Sequence, residues 1–288
     1  MRKRGRNSKN TPMSSKTSRE DPMQFDHLEI VGIAIEAGSA IMEVYHSSDD
    51  IEVQSKEDNS PLTKADLAAH QTIIRGLETI DPEIPVVSEE GRVGDPNQSK
   101  LAWLVDPLDG TKEFIKRNGM FTVNIALMKR ERYRWKPIFG VVHAPANRTT
   151  WFGGVDVPAT RQVDSDTSAI SVNKHIASPT RLVASGSHRA EKDEKFAKDV
   201  GEHELVRMGS SLKACIVADG SADLYPRFGP TSCWDIAAAH AVVEAAGGVV
   251  LSPVCEPLDY DLVDDVLNPY FLVACSTKWN DVWSQNQD

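Results

Sequence analysis

The segment Val105-Asp106-Pro107-Leu108-Asp109-Gly110-Thr111 concentrates groups able to do chemistry. An apolar run, Leu101 to Val105, ends at Asp106; Pro107 fixes a turn, and Asp109 follows three residues on. One turn can therefore present two carboxylates with the Leu108 carbonyl between them, an all-oxygen set that suits Mg²⁺. Gly110 and Thr111 open a short helical segment, whose free amides suit a phosphate. Asp, Pro and Gly are equally the common residues of a surface β-turn, so the segment alone reads both ways. Glu89 and Glu90 follow another apolar run, Asp235 stands before an apolar stretch from Ile236, and Asp66 lies one turn into a helical pattern. Each also has a plain structural reading: a solvated loop, a helix N-cap, and an acid complementing the helix dipole. Hydrolysis of a phosphate monoester needs up to ~10²¹-fold acceleration. General acid–base help supplies only ~10²–10⁴ of that. Such a reaction demands a covalent nucleophile or several metals. Glu89, Asp106, Asp109 and Asp235 are enough acids to build a two-metal site with ions ~3.5–4 Å apart.

The surrounding pattern predicts elements that could hold these groups. Leu28, Val31, Ile35, Ile41, Met42 and Tyr45 recur at helical spacing over about 26–46. A second helix starts near Thr63, a plausible N-cap. Ile51-Glu-Val-Gln-Ser alternates like a short strand. Ile84-Pro-Val-Val, Leu101-Ala-Trp-Leu-Val, Phe121 to Met128 and Ile138 to His143 read as further strands, with a basic, aromatic loop at 129–137. A polar stretch over 155–168 reads as a linker. Beyond it strands at 181–185, 204–208, 222–225, 248–251 and 271–275 alternate with helices at 190–200, 211–218 and 235–246. Alternation of this kind argues a layered α/β half.

Composition bounds the function. The chain has 288 residues, 40% hydrophobic and 26% charged, with a formal net charge of −10. A globally acidic chain excludes a DNA-binding field. Residues 1–22 hold seven Lys/Arg against Glu20 and Asp21, a local +5 on a chain otherwise at −15. With no apolar core this tail is not a secretory signal. It reads as disordered, and is a candidate for touching anionic lipid or RNA. Cys215, Cys233, Cys255 and Cys275 are widely spaced with no CxxC, the pattern of a reduced, cytosolic protein. No transmembrane segment is predicted; the best apolar stretch, Ile236 to Leu251, is broken by His240 and Glu244.

Three motifs in this order resemble the signatures of the inositol monophosphatase superfamily. They are Ser88-Glu89-Glu90, Asp106-Pro107-Leu108-Asp109-Gly110-Thr111-Lys112-Glu113-Phe114, and Trp234-Asp235-Ile236-Ala237-Ala238-Ala239 before Ala246-Gly247-Gly248. Gly209-Ser210-Ser211-Leu212-Lys213 and Leu224-Tyr225-Pro226-Arg227-Phe228-Gly229-Pro230 look like its 3′(2′),5′-bisphosphate nucleotidase branch. The resemblance covers about residues 24–276 and implies an α+β fold, a layered αβαβα sandwich with the site between two parts. It implies two or three Mg²⁺ ions on Glu89, Asp106, the Leu108 carbonyl, Asp109 and Asp235. Asp66 and Thr111 would orient and deprotonate the attacking water. Substrate contacts would come from Glu89, Leu108, Asp109, Gly110, Thr111, His188, Ser210, Lys213, Arg227 and Asp235. The implied reaction removes the 3′-phosphate of adenosine 3′,5′-bisphosphate (PAP), or of its sulfated relative PAPS, to give AMP in sulfate assimilation, with lithium sensitivity.

A substrate with phosphates at both ends needs two anion sites. Lys213 follows a Gly-Ser-Ser turn and Arg227 sits in a Pro/Gly-flanked loop, so both could meet the second phosphate; both also read as solvated surface charges. Inositol monophosphate or fructose bisphosphate hydrolysis would use the same metal core. A nucleotide- or RNA-binding regulator working through the tail is the reading of another class. The Asp-x-Asp-Gly-Thr signature of aspartyl-nucleophile phosphatases fails here by one residue. The expected organisation is a basic tail over 1–22, a metal-binding sub-domain over 23–160 and a substrate-binding sub-domain over 161–288. The expected setting is cytoplasmic, with peripheral contact on the inner membrane as a further candidate; the oligomeric state is not legible.

Overall fold

Asp26 opens the first helix, α1 (His27–His46), by accepting from the Leu28 amide at 2.9 Å. A computed structural model describes the chain over residues 25–47, 53–55, 61–175, 178–185 and 191–287. A short antiparallel pair, β1 (Val53–Ser55) and β2 (Pro61–Thr63), leads into α2 (Lys64–Ile80). Thr63 caps α2, and Asp66 reaches back to the Thr63 amide, a reciprocal capping box.

The next strands are β3 (Val86–Ser88), β4 (Gly91–Val93) and β5 (Leu101–Asp109), and the short α3 (Thr111–Ile115) follows. After it come β6 (Thr122–Glu131), β7 (Arg134–Ala144), β8 (Thr149–Gly154), β9 (Val157–Val163) and β10 (Asp166–Ala169). They form one eight-stranded sheet in the order β10-β9-β8-β7-β6-β5-β3-β4, antiparallel except for the β3–β5 pair. The remaining chain contributes β11 (Thr180–Ser185), α4 (Glu191–Val200), β12 (His203–Met208), α5 (Leu212–Ala218) and β13 (Leu224–Arg227). It continues through α6 (Ala237–Ala245), β14 (Val249–Leu251), β15 (Phe271–Ala274) and α7 (Asn280–Ser284). Its sheet runs β12-β11-β13-β15-β14.

Both faces of the central strands of the large sheet are buried. Along β5, Trp103 and Val105 pack into one core with α1 and α2, while Ala102 and Leu104 face the other. Along β6, Val123, Ile125 and Leu127 join the first core; Ala126 and Met128 join the second. Period-two alternation makes both sides apolar, as a strand sandwiched by helices requires. The helices α5 and α6 fill the layer between the sheets, and α4 and α7 meet on the other side of the smaller sheet. The fold is thus an α+β, αβαβα layered sandwich. Closeness of α6 to β7 depends on Gly140, where a Cβ would fall onto the Ala238 carbonyl.

Three expectations differ from the structure. The stretch 155–168 is not a linker: β9 and most of β10 lie in it and extend the large sheet to its edge. Their side chains are polar because an edge hairpin faces water, which hid them from a hydrophobicity reading. The basic stretch over 129–137, read as a loop or a hairpin tip, is a hairpin whose strands run further than expected, turning at Arg132 and Tyr133. Tyr133 is 79% exposed, but Trp135 is 2% exposed and belongs to the core, exchanging backbone hydrogen bonds with Tyr260. Finally, Asp235 does not cap the long helix. It closes a 3₁₀ turn, Cys233–Asp235, that starts from Ser232 and precedes α6. The tail 1–22, residues 51 and 52 of the first expected strand, and His188 lie outside the described residues.

Candidate active site

The β5 strand runs through Asp106 to Asp109, and its pairing with β6 slips between these residues. That irregularity turns the strand end into the corner the sequence suggested. Asp106 is 1% exposed and its Oδ1 accepts from the Leu108 amide at 3.1 Å. Gly110 then takes φ +92°, a conformation that favours glycine, and a Cβ there would lie 3.0 Å from the Met120 carbonyl. The chain turns into α3, and Thr111 comes back over the corner. Its hydroxyl lies 3.3 Å from both Asp66 Oδ1 and the Leu108 carbonyl. Asp66 is held in turn by the Thr63 amide at 2.7 Å and the Thr63 hydroxyl at 2.6 Å.

Glu89 follows β3, whose parallel pairing places Ser88 beside Val105, and the Glu89 amide donates to the Val105 carbonyl. The Glu89 side chain hydrogen-bonds Asp106. Asp235 arrives from the other part of the chain, its Oδ2 accepting from the Ser232 amide at 3.0 Å. Burial, then the nearby carboxylates of Glu89, Asp109 and Asp235, hold Asp106 well above the ordinary carboxylate range. Burial and then Asp109 push Asp235 up to about 7, against the Ser232 amide, which pulls it down.

Residues 210 and 211 complete the set. The Ser210 hydroxyl at 2.6 Å, the Ser211 amide at 2.6 Å and the Ser211 hydroxyl at 2.7 Å all surround Asp109 Oδ2. The Ser211 hydroxyl also lies 2.6 Å from the Asp235 carbonyl, and so ties the two acids together. Behind it, Asn124 Nδ2 donates to Ser211 Oγ at 2.8 Å, and Thr122 meets Ser210 Oγ at 2.7 Å. Ser210 has φ +53°, a strained setting for a residue with a Cβ. Ser211, Asn124 and Thr122 were missed in the sequence. Thr122 and Asn124 carried a signal: two polar residues at alternate positions of an apolar strand, on the parity that faces α5.

Among the described residues, no three His, Cys, Asp or Glu side chains stand ready-made as a metal cage. The donor set nonetheless fits a cation. The Asp106 carboxylate is buried beside those of Glu89, Asp109 and Asp235, which repel it; a divalent ion bound among them would offset that repulsion.

A cavity of about 480 Å³ opens from these acids. Asp109, Gly110, Ser210 and Asp235 line it together with Lys213, Tyr225 and Arg227. Lys213 Nζ donates to the Ser210 carbonyl at 2.6 Å and lies 5.5 Å from the Tyr225 ring centre. Burial lowers its pKa, while Asp109 opposes the shift. Arg227 Nη2 donates to the Pro230 carbonyl at 3.0 Å, but its buried Nε has no hydrogen-bond partner among the described residues. A buried guanidinium N–H without an acceptor fits an anionic ligand.

The model of the inositol monophosphatase family matches residues 25–278. The chain belongs to the inositol monophosphatase family. A 3′(2′),5′-bisphosphate nucleotidase CysQ of Escherichia coli O6:H1 is 47% identical over 248 residues, covering 85% of this chain and 98% of that protein. The crystal structure of CysQ from Bacteroides thetaiotaomicron, described as a bacterial member of the family, aligns with a TM-score of 0.73 at 36% identity, over 86% of this chain and 97% of that one. A Thermotoga maritima IMPase shares the inositol monophosphatase fold at 22% identity, with a TM-score of 0.74 over 91% and 97% of the two chains.

Proposed function

We propose that this member of the inositol monophosphatase family is a Mg²⁺-dependent 3′(2′),5′-bisphosphate nucleotidase that removes the 3′-phosphate of PAP, or of PAPS, leaving AMP from PAP. The observation that carries the reading is one cavity lined by Asp109 and Asp235 and also by Lys213 and Arg227, whose buried Nε has no hydrogen-bond partner among the described residues. A substrate with two phosphates can engage the acids and the basic pair together; inositol monophosphate has no second phosphate for Lys213 and Arg227. The bisphosphate nucleotidase named among the relatives supports the same substrate class.

Glu89, Asp106, the Leu108 carbonyl, Asp109 and Asp235 would hold two or three Mg²⁺ ions. Bound there, the metal supplies Lewis acidity towards the attacking water and the phosphoryl oxygens. The chain's own residues do the rest. Thr111 gives its proton towards Asp66 Oδ1, so its oxygen lone pair stays available to accept from the water and Asp66 receives the water's proton through it. Gly110 lets the backbone approach the scissile phosphate. Ser210, Lys213 and Arg227 seat the second phosphate, with His188 assigned there by resemblance. Two sub-domains belong to the proposal, with the boundary after Ala169 because β10 is still hydrogen-bonded to β9. A reducing, cytoplasmic setting is supported by four unpaired thiols; no helix among the described residues is long and apolar enough to cross a membrane. Peripheral membrane contact through residues 1–22 is proposed from their charge alone.

The test is phosphate release from PAP, inositol 1-phosphate and fructose 1,6-bisphosphate, with and without Mg²⁺ and Li⁺. PAP should be hydrolysed fastest, only with Mg²⁺, and Li⁺ should inhibit. Equal or faster release from inositol 1-phosphate would reject the nucleotidase reading.

A further inference from the structure

Helix α2 touches the active site twice. Asp66, at its start, bonds Thr63 and lies within 3.3 Å of the Thr111 hydroxyl. His70 stands four residues later, on the same helical face, one turn or ~6 Å along the axis. Its Nδ1 lies 3.0 Å from Ser88 Oγ, at the end of β3. The same hydroxyl oxygen accepts from the Glu90 amide at 3.3 Å. Ser88 and Glu90 flank Glu89. The strand side of this turn is fixed by the Glu89 amide on the Val105 carbonyl, and the helix side by His70. Ser88 is 5% exposed and His70 is half-buried, so this pairing is partly shielded from water. Burial also lowers the His70 pKa, which favours the neutral imidazole, a form with one ring nitrogen free to accept from a hydroxyl.

We propose that His70 is a positioning residue, a strut through Ser88 that fixes the Ser88–Glu90 turn, and hence the Glu89 carboxylate, relative to Asp66. One rigid helical turn then sets the spacing between the group that receives the water's proton and a group that holds the cation. His70 itself touches neither metal nor substrate. The inference rests on the metal-dependent reading above, and the two can fail separately.

The experiment measures Mn²⁺ binding by calorimetry to the full chain and to His70→Ala, His70→Asn, Ser88→Ala and the His70→Ala/Ser88→Ala double variant. Loss of an outer partner of a metal ligand typically weakens metal affinity roughly 10–100-fold. His70→Ala and Ser88→Ala should each show a loss of about tenfold or more, and His70→Asn, which keeps a hydrogen-bonding group, should recover most of it. The double variant should lose no more than either single one, because both remove one link. At saturating metal the KM for PAP should stay within about twofold of wild type, since binding energy at Lys213 and Arg227 is untouched. Mn²⁺ affinity within about twofold of wild type in both single variants, or losses that multiply in the double variant, would overturn the strut. A wild-type chain that binds no Mn²⁺ would instead overturn the metal reading, and the strut with it. If His70→Ala does not fold, Ser88→Ala, which deletes a single oxygen at a strand end, decides the question by the same threshold.

Discussion

Asp109 serves two parts of the molecule at once. Its Oδ2 is surrounded by donors from Ser210 and Ser211, and no hydrogen bond from a described residue reaches Oδ1. Replacing it with Ala removes a proposed cation ligand and the acceptor that orders the Gly209–Ser211 turn. Asp109→Ala should therefore lose at least about a thousandfold in turnover of PAP with Mg²⁺ while keeping a cooperative thermal transition, read by calorimetry. Substantial residual turnover would reject the role. The buried acids also predict a pH effect. Asp235 is pushed up to about 7 and Asp106 is held higher than usual, whereas both ionise near 4 in an unfolded chain. Between about pH 4 and pH 7 the unfolded chain thus binds fewer protons than the folded one, so metal-free stability falls as pH rises. A cation held by the ionised set, as proposed, would stabilise increasingly over the same interval. The rise in melting temperature given by Mg²⁺ should be larger at about pH 8 than at about pH 5.5; equal shifts would count against a shared carboxylate site. At this scale the sequence was informative where chemistry is written in acids, as with Asp106 and Asp109. It was silent on His70 and Ser211, whose roles come from partners 18 and 102 residues away.

The elements were most legible where hydrophobic period is strong. α1 and α2 follow their apolar stripes, and the Thr63 cap was readable because a Thr followed three residues later by an acid is a local signal. β9 and β10 were not, since exposed edge strands carry no apolar alternation. Trp135 was misplaced because basic neighbours on the outward face of a hairpin conceal a buried inward one. The interlayer helix α6 invites a direct test. A methyl group at Gly140 would meet backbone rather than a movable side chain, at Ala238 in the first turn of α6. Gly140→Ala should cost about 1–3 kcal/mol or more in denaturant unfolding. Because Asp235 lies two residues before α6, the variant should also need more Mg²⁺ for half-maximal activity. An unchanged unfolding midpoint would show that the two layers can separate at little cost.

The charge of the whole molecule is divided between a +5 segment at residues 1–22 and a −15 remainder. All proposed chemistry lies in the acidic part. Deleting residues 1–22 should leave kcat and KM for PAP within about twofold. Any affinity for anionic vesicles or RNA should be salt-dependent in the full chain and vanish in the shortened one. Loss of turnover on deletion would give the segment a catalytic part.

The clamp on Asp109 has a temporal consequence. Its acceptor oxygen and the donors that hold it are about a hundred positions apart in the chain, and Asp235 comes later still. During synthesis the first sheet can be finished while the far side of the ion's seat is still unmade. The proposed ligand set of Glu89, Asp106, Leu108, Asp109 and Asp235 is therefore whole only once the two layers have docked, so cation binding at full affinity should report that docking.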